Sequence, residues 1–304
     1  MVISEPMTAA AAGTWKLGDR KVNRLGFGAM RLTGNGMRGN SDGAPIDRDR
    51  AIRLLRVAVE LGVNHIDTAA FYFSPARSAN ELINRALAPY PEDLVIVTKV
   101  GPGRDPSGAW LPPATPEQLR GQVEENLRQL GRDHLDVVNL RRMNQESIAE
   151  HFGALAELRD SGLIRHLGIS SVKPEHLAEA QAIAPVVCVQ NWYGLDRRLS
   201  DANGLLDSCG EQGIAFVPYF AIAGERREAR ASDTHHDEVL AVARAHRATP
   251  AQVRLAWTLH RGPHVLAIPG TGDPGHLTEN IAAGALRLSP DELTRLRGLD
   301  QKAV

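Results

Sequence analysis

Three polar side chains stand at the ends of apolar runs, and their chemical types form a proton-transfer set. Asp67 closes the run Val63–Asp67, Tyr72 follows it closely, and Lys99 comes directly after Leu94–Thr98. A phenol, with an ordinary pKa of about 10, can give a proton to an oxygen that is gaining charge, provided its own anion is stabilised. A neighbouring ammonium favours that anion, and a carboxylate can hold and orient the ammonium. Each residue also has a plainer use: Asp67 as a loop cap, Tyr72 in packing, Lys99 as a solvated strand end. The three in this order favour the chemical reading.

Such side chains meet only if a scaffold gathers the ends of several runs. From Arg24 onward, short apolar runs alternate with longer stretches of helical periodicity, the pattern of a parallel sheet with crossover helices. The predicted strands are Arg24–Ala29, Val63–Asp67, Leu94–Thr98, Leu135–Leu140, Ile164–Ile169, Val186–Gln190, Ile214–Pro218 and Val265–Ile268. Predicted helices include Asp47–Leu61 and Pro116–Leu130, the latter opened by a proline and stopped by Gly131. Eight such units fit an α/β fold of the (β/α)8 TIM-barrel type. A doubly wound sheet fits less well, because Gly26-Phe27-Gly28 lacks the third glycine of a dinucleotide-binding turn and has no helix directly behind it. That glycine pair instead reads as a close approach at a strand end. Gly18-Asp19 splits Trp15–Val22 into a hairpin expected to plug the barrel bottom. The domain reading is a flexible N-terminus over residues 1–13 and one barrel domain over 14–304. Residues 221–236 read as a loop or lid.

The chain has 304 residues, with 43% hydrophobic and 23% charged, enough for a sizeable core. A net charge of -1 supplies no field for nucleic acid or an anionic membrane. Cys188 and Cys209 have no metal-ligand spacing and are expected as reduced, buried thiols. His235-His236 falls in the predicted loop, away from any His/Asp cluster at strand ends, so no metal site is expected. No stretch approaches the roughly 18 to 20 apolar residues that cross a bilayer. The expected location is the cytoplasm.

The strand ends carry a resemblance. Val63-Asn64-His65-Ile66-Asp67-Thr68-Ala69 followed by Tyr72, then Val97-Thr98-Lys99, then Ile268-Pro269-Gly270-Thr271 with His276-Leu277-Thr278-Glu279-Asn280, together resemble the aldo-keto reductase family. Gly168-Ile169-Ser170-Ser171, Val189-Gln190 and Pro218-Tyr219 fit the family's cofactor strands in the same order. The match runs from Gly26 to Asn280. The resemblance implies an NADPH-dependent reductase of aldehydes or ketones, with Tyr72 as proton donor and Lys99 and Asp67 as its support. NADH stays open as the alternative cofactor.

One position departs from the family. Its fourth catalytic place, at the end of the fourth strand, is usually histidine; here the segment reads Asn139-Leu140-Arg141-Arg142, and Arg141 stands there. A guanidinium stays charged and cannot exchange a proton near neutral pH, but it can stabilise an oxyanion or grip a carboxylate or phenolate. Pyridoxal, an aldehyde beside an ionisable phenol, suits such a group, and the family's pyridoxal reductases resemble this chain. Arg31, Phe73, Arg142, Trp192 and Phe220 are the other candidate substrate contacts.

Gly28 and Met30 are placed on the cofactor side of the first strand end. By the resemblance, Ser170, Gln190 and Asn191 hold the nicotinamide amide, Tyr219 stacks on its ring, and Glu279 and Asn280 contact adenine. Ile268-Pro269-Gly270-Thr271-Gly272 leads into a helix near Pro274, whose backbone N–H groups and dipole can receive phosphate. Gly270 replaces a lysine common in one branch, and His276 an arginine that often grips the 2′-phosphate; Thr271 and His276 are therefore the expected contacts there. Reduction of an activated C=C bond, and an NADPH-sensing regulatory subunit without turnover, remain alternative functions.

Overall fold

The computed structural model of the chain describes residues 7–34, 46–222 and 237–299. Strands β1 (Thr14–Leu17) and β2 (Arg20–Asn23) form the expected hairpin. A parallel sheet follows, made of β3 (Phe27–Gly28), β4 (His65–Asp67), β7 (Val95–Val100), β8 (Leu135–Arg141), β9 (Ile164–Ser170), β10 (Val186–Gln190) and β11 (Ala215–Phe216). Between β4 and β7 lies a small antiparallel pair, β5 (Phe73–Ser74) and β6 (Arg77–Ser78).

The eighth run closes the curl. Val265 bridges Phe216 on one side and Ala267 bridges Leu25 on the other, and Leu266 donates its N–H to Phe216 at 2.9 Å. The predicted strand at Arg24–Ala29 is shorter as a ladder, because from Ala29 the chain turns into a 3₁₀ segment, Ala29–Thr33.

Helices α1 (Arg48–Glu60), α2 (Ala79–Leu87), α3 (Pro116–Leu130), α4 (Ala149–Asp160), α5 (Pro174–Gln181), α6 (Leu199–Ala202) and α7 (Leu205–Glu211) connect successive strands. Then come α8 (Asp237–His246), α9 (Pro250–Leu259), α10 (Pro274–Ala283) and α11 (Pro290–Arg297). The termini follow local chemistry. Asp47 caps α1 through Arg50 N–H, and Gly131 ends α3 at φ 62°, a left-handed turn that glycine adopts without strain.

The period of two in the strands decides what faces inward. The inner row at the bottom is apolar: Val95, Val97, Val137, Cys188, Ala215, Val217 and Leu266 pack around Leu17 and Val22 of the hairpin. The same rows continue upward as His65 to Asp67, Val97 to Lys99, Asn139 to Arg141 and Cys188 to Gln190. The barrel therefore changes from oil to polar groups at its carboxyl end. Gly26 takes part in this packing: a Cβ there would lie 2.3 Å from His65 Nε2.

The N-terminus differs from expectation. Within residues 7–13, Ala9–Ala12 form a 3₁₀ turn with Ala9 and Ala12 buried, Ala9 N–H bound to Leu61 O at 2.8 Å, and Arg24 reaching Ala12 O at 3.1 Å. Side chains this small carry no periodic signal but fit against close-packed helices, and the backbone bonds fix them. Most of the predicted lid, with His235-His236, lies outside the described residues.

Candidate active site

A cavity of about 880 Å³ opens at the carboxyl ends of the strands. It is walled by sixteen of the residues singled out from the sequence: Gly28, Met30, Arg31, Asp67, Tyr72, Lys99, Arg141, Gln190, Tyr219, Phe220, Ile268, Gly270, Thr271, His276, Glu279 and Asn280.

At its floor, Lys99 Nζ donates to Asp67 Oδ1 at 2.6 Å and to Thr68 O at 3.0 Å. The other Asp67 oxygen accepts from Gln190 Nε2 at 2.7 Å. Lys99 Nζ also lies 4.8 Å from the centroid of the Tyr72 ring. Burial alone would push the Lys99 ammonium down. The adjoining Asp67 carboxylate and Tyr72 phenol outweigh it and hold Lys99 above the ordinary lysine range. The ammonium is thus a fixed positive charge beside a phenol, with both groups almost wholly buried.

These side chains are held from behind. Thr68 donates to Asn80, Asn80 to Asn126, and Thr98 to Asn126, with lengths of 2.7, 2.9 and 2.5 Å. This buried chain ties the ends of β4 and β7, which carry Asp67 and Lys99, to α2 and α3. A fully partnered polar network fixes one arrangement, since any other leaves a buried group unsatisfied.

Arg141 projects from the end of β8 into the cavity, with its guanidinium carbon 5.7 Å from the Tyr219 ring centroid. Among the described residues it has no carboxylate within ion-pair distance. Tyr219 is itself held by Ser171, whose Oγ lies 3.1 Å from the phenol oxygen. Ser171 and Phe220 both adopt left-handed backbone conformations, at φ 63° and 60°. Non-glycine residues rarely do so, and such strain clusters at functional sites.

Five sequence-derived candidates stand off the cavity wall. Ser170 is fully buried behind Gln190, 3.5 Å from its Oε1. Phe73 lies under the Arg104 guanidinium at 4.9 Å. Arg142 donates to Gln145 O at 2.5 Å, and Trp192 packs between Arg197 and Phe220. Asn191 is engaged on both amide atoms by the Val172 backbone.

The turn after the last strand also differs in detail from its sequence reading. The N–H groups of Gly275 and His276, at the start of α10, are taken by Asp273 Oδ1 at 2.8 and 3.1 Å. Asp273 is the N-cap. Sequence reasoning missed it together with Arg50, Asp47 and Thr249, which also line the cavity. A signal was present: Asp47, Thr249 and Asp273 each precede a helix start, and helix starts share a face with strand ends in a parallel barrel.

The thiol expectation is met, with Cys188 and Cys209 free and buried and both pushed up to about 12 by burial. Among the described residues there is no group of three or more His, Cys, Asp or Glu fit for a metal, and no helix long and apolar enough to cross a membrane.

The comparisons with known proteins agree with this geometry. The family model described as "Aldo/keto reductase family" matches residues 24–301. Pyridoxine 4-dehydrogenase of Escherichia coli is 45% identical over 96% of this chain and 100% of its own length. Among solved structures, the thermostable aldo-keto reductase Tm1743 in complex with the inhibitor epalrestat superposes with a TM-score of 0.77 at 30% identity, covering 93% of this chain and 97% of that one. An aldo/keto reductase of Klebsiella pneumoniae in complex with NADP and acetate gives 0.74 at 26% identity, covering 93% of each. The chain belongs to the aldo/keto reductase family and is an oxidoreductase of the carbonyl-reducing kind.

Proposed function

We propose that this protein is an NADPH-dependent reductase of pyridoxal or a similar aldehyde carrying an ionisable phenol, with Tyr72 as the proton donor. The observation that carries the reading is the pairing, in one cavity, of the Asp67–Lys99–Tyr72 array with an arginine that has no acidic partner among the described residues. The relative named as a pyridoxine 4-dehydrogenase supports it, and so does the family structure that holds NADP.

The cavity suits a dinucleotide. Its size is in the range of cofactor pockets, and Asn280 lines it with a side-chain amide that makes no hydrogen bond among the described residues. An amide that faces the cavity with its hydrogen-bonding groups free is complemented by a polar ligand group. When bound, reduced nicotinamide supplies the hydride. Gln190, Glu279 and Asn280 would hold the two ends of the cofactor, and Tyr219 would contact its nicotinamide end.

The chain's own part is proton transfer and charge stabilisation. As the carbonyl carbon gains hydride, Tyr72 gives its proton to the oxygen, and the buried Lys99 ammonium stabilises the phenolate left behind. Asp67 keeps Lys99 in place. Arg141 cannot supply a proton; it grips the substrate's phenolate and steers the aldehyde toward Tyr72. In the reverse sense the same groups take a proton from an alcohol.

The test is NADPH oxidation followed at 340 nm with pyridoxal and with neutral aromatic aldehydes. Pyridoxal-dependent oxidation that yields the alcohol, and a clear preference over neutral aldehydes, is the expected result. Tight cofactor binding without turnover on any carbonyl would overturn it.

A further inference from the structure

The family resemblance leaves the 2′-phosphate end of the cofactor short of charge, with Gly270 and His276 in place of basic residues. The structure brings an arginine there from an unexpected element. Arg50 lies in the first turn of α1, far in sequence from the last strand, yet it lines the same cavity as Thr271, Gly272, Asp273 and His276. Its Nη2 donates to Asp273 Oδ2 at 3.0 Å.

Two features of the sequence produce this approach. Asp47 caps α1 and aims its first turn at the cavity mouth. Gly272 then lets the helix come close: a Cβ at that position would stand 2.3 Å from Ile46 Cδ1. A larger residue at 272 would have to displace the tip of the Ile46 side chain, which packs directly over this turn.

We propose that Arg50 is a specificity-determining residue for NADPH over NADH, leaving Asp273 to grip the adenosine 2′-phosphate. This rests on the dinucleotide reading above. The exchange is easy, because the Arg50–Asp273 pair is about half exposed, at 47% and 48%, and pairs of that kind contribute little. A phosphate offers more charge and a bidentate geometry that matches the guanidinium. Asp273 meanwhile keeps its cap on Gly275 and His276 N–H through its other oxygen, so α10 need not rearrange. Arginine carries its charge at every working pH, which the imidazole of His276 does not.

The test is titration of the purified protein, by quenching of its tryptophan fluorescence, with NADPH, NADH and the fragments 2′,5′-ADP and 5′-AMP. Arg50→Gln should weaken NADPH and 2′,5′-ADP by about tenfold or more, the loss of one charge-assisted contact. NADH and 5′-AMP should stay within about twofold, as ligands that lack the phosphate. Arg50→Lys should recover part of the loss, and NADPH binding by the wild type should weaken with salt more steeply than by Arg50→Gln. Unchanged NADPH affinity in Arg50→Gln, or equal losses for NADPH and NADH, would overturn the assignment alone. A wild-type protein that binds neither dinucleotide would remove the cofactor reading, and this one with it.

Discussion

Gln190 reaches across the barrel from β10 to donate its amide to Asp67 on β4, 123 positions away in sequence and 2.7 Å away in space. Both Asp67 oxygens are thereby occupied, one by Lys99 and one by Gln190. The residue that the family resemblance assigns to the nicotinamide amide also touches the carboxylate that supports the proton donor. On the proposed assignment, cofactor seating and the acid's electrostatics meet at one side chain.

Replacing Gln190 should disturb both tasks at once. Gln190→Leu leaves one oxygen of a buried carboxylate without a donor, at a cost of about 1–3 kcal/mol. The expected outcome is a lower melting temperature and weaker cofactor binding together, with Gln190→Glu worse than Leu because it sets two carboxylates side by side. Thermal melts with and without NADPH check this; a normal melt with normal cofactor affinity would show that the contact contributes nothing.

Tyr72→Phe removes the hydroxyl and keeps the ring. Turnover should drop by about a hundredfold to ten-thousandfold, the usual size of a lost general acid, while NADPH affinity stays near wild type. Steady-state rates beside fluorescence titration decide it. Wild-type turnover in this variant would remove Tyr72 as the donor.

Arg141→Gln should divide substrates by charge. For pyridoxal, kcat/KM should fall by about tenfold to a hundredfold, the range for losing a charge-assisted contact, and neutral aromatic aldehydes should change by less than about threefold. Parallel losses on both classes would instead mark Arg141 as a general stabiliser of the carbonyl oxygen.

His65 predicts a pH dependence of stability. Buried without a hydrogen-bond partner for either ring nitrogen, its imidazole is held down to about 4, chiefly by burial. Its unfolded value is the ordinary one near 6.5, so below that pH the unfolded chain binds a proton that the folded one refuses. The contribution is fully present above pH 6.5 and is lost as pH falls toward 4. Between pH 7.5 and 5 it amounts to about 2 kcal/mol. Urea denaturation at both values, compared between wild type and His65→Leu, should show the wild type losing about that much more. Equal losses would rule out His65 as the source.

How far the sequence reaches is clearest in particular residues. The beat of apolar runs and helical stretches was enough to place the hairpin, the strands and the main helices, because burial on both faces and the period of two are local properties. The end of β3 and the buried turn Ala9–Ala12 were not legible: the first depends on where the closing segment Val265–Ile268 bridges, and alanines carry no periodic signal. The same division runs through the cavity. Asp67, Tyr72, Lys99 and Arg141 could be named because strand ends are readable and carry the chemistry, and the fold brings all of them to one cavity wall. Which groups touch within it was decided by closure of the barrel. Period two fixes that Gln190 and Asp67 face inward, but only the curvature of the sheet sets them 2.7 Å apart. The approach of Arg50 to Asp273 likewise depends on the close packing of α1 against α10 over Gly272. Sequence determined the residue types and the faces they occupy; the tertiary structure decided their partners, because a hydrogen bond between distant strands is set by distances that no local pattern encodes.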